Sequence, residues 1–224
     1  MALAVLAVVL AWPARAGHGD PVHSTRNDEP PTRFERFILS GCSPCVTESH
    51  LVATIATRPL KLPPFPRAGI GTRPGEVRVE VLRAYELGRP SRQMLALRII
   101  LYVLAPAPSG GTEPFRLAFG FLDEDEVPAL VSAVADIVKL TGASSSGAGA
   151  DSTDVSFRGG SVRIGQLRFQ GDTVAYVQAG DLQALMLRPV WEVPTTVYLP
   201  PSELPMLATA FGGSVEKIKQ LRGF

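Results

Sequence analysis

The chain has 224 residues, with 22 Lys and Arg against 21 Asp and Glu and a formal net charge of +1. That balance gives no electrostatic case for nucleic acid or for an anionic membrane. Its 21 glycines and 20 prolines predict many turns and a β-rich fold rather than a helical bundle.

Met1 to Ala16 reads as a signal peptide, with an apolar core from Leu3 to Trp12, then Pro13 and the cleavage-like triplet Ala14-Arg15-Ala16. The segment lacks the usual lysine or arginine ahead of the apolar core. Cleavage after Ala16 removes only Arg15 of the 22 basic residues, leaving 21 basic and 21 acidic. The expected location is therefore secreted or periplasmic. No later stretch is apolar for long enough to span a bilayer.

Residues 17–74 form an N-terminal region. Gly17 to Thr32 is polar and rich in proline and charge, as mobile leaders are. Arg33 to Thr57 carries two strand-like flanks, Phe34–Leu39 and Val46–Ile55, around Ser40-Gly-Cys42-Ser-Pro-Cys45. Gly41 and Pro44 are turn residues, so this stretch predicts a β-hairpin with a disulfide across its tip. Arg58 to Pro74 holds five prolines at 59, 63, 64, 66 and 74 and reads as an extended connector.

A first β-sheet and helix unit spans residues 75–142. Val77–Glu86 is a strand, Gly88–Ser91 a turn, and Met94–Leu104 a nearly continuous apolar run that suits a strand buried on both faces or a buried helix. Phe115–Leu122 is a strand, followed by a helix from Glu126 to Leu140. Residues 143–153 are a Gly/Ser/Ala linker. A second unit spans 154–224, with strands at Asp154–Phe157, Ser161–Gln170, Thr173–Gln178 and Thr195–Leu199, and a further candidate at Leu182–Leu187. A second helix follows, where Gly212-Gly213 predicts a kink or break.

The units echo one another. Leu122, Glu126, Pro128 and Leu130 match Leu199, Glu203, Pro205 and Leu207. Asp125 and Ser202 occupy the matched N-cap positions. Upstream, Gly75-Glu-Val-Arg matches Gly160-Ser-Val-Arg, and each segment continues to a Leu-Arg pair, at 82 and 167. In both, the inward alternation slips before that leucine, which predicts a β-bulge. The fold expected is α+β: two tandem antiparallel β-sheet-plus-helix units of three or four strands each, preceded by the N-terminal hairpin. This order of elements resembles the repeats of the PUR family, which bind single-stranded nucleic acid. The resemblance is one of order alone. The basic and aromatic stacking positions such binding needs are not found, so no nucleic-acid partner is expected.

Cys42-Ser-Pro-Cys45, with Glu48 beyond it, looks like the redox motif of thioredoxin-like proteins. The resemblance implies Cys42 as nucleophile and Cys45 as resolving thiol. Gly41 stands where those proteins commonly carry tryptophan, and β-formers follow Cys45 where a helix is needed. A structural disulfide is the competing reading, since cysteines this close pair in an oxidising compartment. Metal chemistry is not expected: His18, His23 and His50 are the only histidines, and no second ligand pair has metal spacing. The acidic run Asp123–Glu126 reads as a solvated cap. Arg78, Arg83, Arg163 and Arg168 recur in both units and would form a ligand stripe if they shared a face. No cofactor and no catalytic residue is expected. The chain reads as an exported, non-enzymatic binding or assembly protein of the envelope, its partner an unidentified envelope protein or small ligand. Thiol–disulfide exchange by Cys42 and Cys45 is the alternative.

Overall fold

The computed structural model describes residues 32–58, 60, 74–106, 112–142, 152–169, 172–180 and 195–223. The signal-like segment, nearly all of the leader and connector, the linker from 143 to 151, the candidate strand at 182–187 and the loop around Trp191 lie outside them.

The molecule is α+β, with two four-stranded antiparallel sheets, each followed by a helix. The first sheet has the order β1 (Cys45–Thr57), β2 (Gly75–Glu86), β3 (Arg89–Pro106), β4 (Thr112–Asp123) and leads to α2 (Val127–Gly142). The second has β5 (Ser152–Gly159), β6 (Val162–Phe169), β7 (Asp172–Ala179), β8 (Thr195–Leu199) and leads through a 3-10 turn, Pro201–Glu203, to α3 (Leu204–Arg222). Met94–Leu104 is thus strand, as its β-branched and aromatic content favours.

The predicted N-terminal hairpin does not form. Phe34–Leu39 is helical, with α1 at Arg33–Arg36 running into a π-type turn at Phe37–Gly41. Its other flank, β1, pairs with β2 along almost its whole length and becomes the edge of the first sheet. The cause lies at the two ends of the helical stretch. Thr32 and Glu35 form a capping box, which stops strand geometry at the start. Phe34 is fully buried, and a helical turn brings Phe37 and Ile38 to the same cluster.

The matched positions of the two units occupy matched places. Val77 and Val79 in β2, and Val162 and Ile164 in β6, are all fully buried. So are Leu122 and Leu199 at the strand ends, and Leu130 and Leu207 in the helices. These belong to one core that draws on both sheets and both helices. Its organisation is an exchange. Helix α3 packs on β1, β2 and β3 of the first sheet, whereas α2 packs on β5 and β6 of the second. The two helices also pack on each other. Helix α3 is continuous through Gly212-Gly213, not broken there. Gly213 lies against β1: a Cβ at 213 would lie 3.2 Å from Val52 Cγ1.

The predicted bulges before Leu82 and Leu167 are absent. The ladder from β2 to β3 runs unshifted from Gly75 to Tyr85, and both ladders of β6 run unshifted throughout. Leu82 and Ala84 instead face away from the shared core, into a second small cluster with Phe34, Ala96 and Phe121. The change of phase marks a strand with two buried faces, not a defect in it. The bulge in this region sits across the ladder in β1, where register shifts between Leu51 and Ala53.

Candidate functional site

Three places concentrate polar or reactive side chains: the β4–α2 corner, the sheet surfaces with their recurring arginines, and the Cys42–Cys45 corner.

The acidic run at the β4–α2 corner is a structural junction. Asp123 is buried, and its carboxylate accepts from Arg33 N–H at 2.9 Å, Phe34 N–H at 3.0 Å and Arg33 Nε at 3.2 Å. A carboxylate on the first free N–H groups of α1 supplies what those donors lack. Asp125 pairs with the Arg33 guanidinium. Glu124 takes both ends of Arg222 from α3, at 3.0 and 2.6 Å. Glu126 accepts from Asp123 N–H at 2.9 Å and Gly160 N–H at 3.3 Å. The run therefore ties α1, the end of α3 and the β5–β6 turn to one point.

The partner position in the second unit has diverged. Glu203, not Ser202, stands at the N-cap of α3, and no side chain caps it. The Glu203 Oε2 atom is buried without a hydrogen-bond partner. Burial raises this carboxyl above its ordinary range, against the opposing pull of Arg58.

The arginines do not make a stripe. Arg78 and Arg83 are five residues apart on one strand and so lie on opposite faces, as do Arg163 and Arg168. Arg78 bonds Glu76 and lies 4.7 Å over the Tyr102 ring, on the outer face. Arg163 bonds Asp154 at 2.6 Å and Ser156 at 3.1 Å, with the Tyr176 ring 5.6 Å away. Arg83 enters a separate cluster, bonding Gln93 at 2.7 Å and approaching Glu48 at 3.8 Å. Tyr85 donates to the other Glu48 oxygen at 3.1 Å. Burial first, then Glu48, raises the Tyr85 phenol above its ordinary value. His50 Nε2 is 3.7 Å from Glu48 and is buried without a hydrogen bond. Among the described residues, no group of three His, Cys, Asp or Glu side chains could hold a metal ion.

The third place is the disulfide corner. Cys42 and Cys45 are joined, with Cα atoms 5.1 Å apart. Cys42 caps the C-terminal end of the π-type turn, and Cys45 opens β1. The thioredoxin-like arrangement needs the reverse order, with the nucleophile at a helix N-terminus where backbone N–H groups favour the thiolate. Here Cys42 sits at the C-terminal end of the helical stretch, whose carbonyl dipoles disfavour negative charge. Three contacts gather separate segments at this corner. Leu87 N–H donates to Pro44 C=O at 2.9 Å, Cys45 pairs with Glu86 in the ladder, and Arg92 lies 5.9 Å over the Phe37 ring. Two large apolar side chains stand out from the same corner: Leu39 is 72% exposed and Leu87 61% exposed. Sequence reasoning missed them, because it placed Leu39 in a strand-like flank and left Leu87 between the Val77–Glu86 strand and the Gly88–Ser91 turn, with nothing to join the two.

A scan against models of known protein families found no match. A search of curated proteins likewise found none.

Proposed function

We propose that the chain is an exported, non-enzymatic binding or assembly protein of the cell envelope. The observation that carries this reading is the disulfide corner. A helical strap is fixed at one end by Asp123 and at the other by Cys42–Cys45; Leu39 is exposed on it, and Leu87 is exposed on the β2–β3 connection bonded to Pro44. Large apolar side chains exposed on anchored segments suit contact with a partner. The signal-like segment Met1–Ala16 and a formed disulfide both suit an oxidising compartment.

Two measurements test this. A carboxy-terminal alkaline phosphatase fusion reports export; activity outside the cytoplasm is expected, and a silent fusion that is expressed intact would overturn the compartment. The thiol–disulfide oxidoreductase alternative is tested on reduced protein. The Cys42 thiol is expected near the value of a free cysteine, with no turnover of a disulfide substrate. A thiol titrating well below that value, with turnover, would replace the binding reading by the redox one.

A further inference from the structure

We propose that the disulfide corner docks on an anionic bilayer surface. Leu39 and Leu87 seat among the lipids, and Arg89 lies on a headgroup phosphate. This rests on the envelope reading and names its partner.

The argument starts from the shape of the apolar surface. Leu39 is in the last turn before Cys42, and Leu87 is in the β2–β3 connection beside Pro44. Both are side chains on connections, not parts of a groove or a sheet face. A stable protein interface buries about 800 Å² on each partner, far more than two leucines offer. A bilayer interface accepts isolated apolar tips, because lipid closes around whatever enters.

The charge around the tips has the matching sign. Arg89 and Arg92 are exposed on the strand that follows Leu87. Glu86 is taken up by Arg92, at 2.8 Å, and Glu35 is turned back onto Thr32. Arg89 has no such partner among the described residues. The chain as a whole is nearly neutral, so the positive charge is a property of where the fold places it. A long arginine stem beside apolar tips lets the guanidinium reach phosphates as the leucines enter. The disulfide completes the device: it holds Leu39 in position relative to β1, so little order is lost on docking.

A second exposed apolar pair serves as the comparison. Leu117 and Phe119 are both more than half exposed on β4. Their neighbours on that face, Arg78 and Arg98, are each paired with glutamate, at Glu76 and Glu80.

The test is co-sedimentation of the full chain with phosphatidylglycerol vesicles and with neutral phosphatidylcholine vesicles. Every variant keeps the apolar Leu3–Trp12 segment, so its contribution is common to all. The native chain is expected to partition onto the anionic vesicles, more strongly at low salt. The double variant Leu39→Glu, Leu87→Glu is expected to lose at least ~10-fold in partition. Arg89→Glu is expected to lose ~5-fold or more. Leu117→Ser with Phe119→Ser is expected to match the native chain. Thermal melts show whether each variant is folded; should the leucine variant unfold, Arg89→Glu and the salt series decide. Partition that is unchanged in the corner variants, or lost only in the β4 variant, would overturn the proposal. So would a Leu39- and Leu87-dependent self-association without vesicle binding, which would make a second copy the occupant. An exported chain that ignores vesicles loses this proposal alone; a chain that is not exported loses the envelope reading, whatever its behaviour with lipid.

Discussion

Asp123 shows how much one side chain can do at a junction. Its carboxylate answers two backbone donors of α1 and one side-chain donor, all from a segment 89 or 90 residues away. Asp123→Ala leaves the buried Phe34 N–H without an acceptor, an expected loss of about 1–3 kcal/mol in urea unfolding. Amide exchange should also speed up at Phe34. Glu203 is the opposite case, a carboxylate with one buried oxygen left without a hydrogen bond and only the pull of Arg58 against its burial. Its raised pKa means the folded state holds the proton more tightly, so its unfavourable contribution grows as pH rises through the folded value and vanishes below the unfolded one. Glu203→Gln is therefore expected to raise the urea midpoint at pH 7 and to lose that advantage as pH falls toward 4. The neighbouring glycine on the Asp123 side is equally constrained. Gly160 has φ of +47°, and a Cβ there would lie 2.1 Å from Phe121 C=O, where the β5–β6 turn meets β4. The sequence marked Asp123–Glu126 as important by its echo alone. It could not show that the echoed glutamates had parted ways, because each one's partner lies far along the chain.

At the scale of elements, helix α3 carries the clearest prediction. Gly212 has open space around its Cα, whereas Gly213 faces Val52 on β1. Gly212→Ala is expected to stabilise by about 1 kcal/mol through helix propensity alone. Gly213→Ala should gain less, since its methyl presses on the strand; paired urea curves give both values. Much of the element list was legible in advance. Proline in the first helical turn, the alternating strand Phe115–Phe121 and the turn at Gly88 are local signals, and local signals survive folding. Strand β1 was read as strand but given the wrong neighbour, because hydrophobic alternation says which face is buried and not which strand lies alongside. Phe34–Leu39 was misread for a related reason. Its apolar residues suit a strand, and only the capping box and the cluster around Leu82 make the helical form the better one. The candidate corner was half legible: the cysteines declared the disulfide, but nothing local brought Leu39 to Leu87.

For the whole molecule, the exchange of helices is the central feature. Leu204, Leu207, Phe211, Ile218 and Leu221 are buried apolar residues of α3, but an apolar stripe cannot say whose sheet it covers. With α3 on the first sheet and α2 on the second, neither unit has its own lid. The single core that results draws on both units and predicts that they unfold as one cooperative body. Splitting the chain in the linker tests this most directly. Residues 1–142 and 147–224 are expressed apart, and urea unfolding is followed by circular dichroism for each alone and for the mixture. Neither fragment is expected to show a cooperative transition by itself, since each exposes the sheet face that the other's helix covers, and mixing should restore one transition. Two fragments that each unfold cooperatively alone, with midpoints unchanged on mixing, would contradict the exchange.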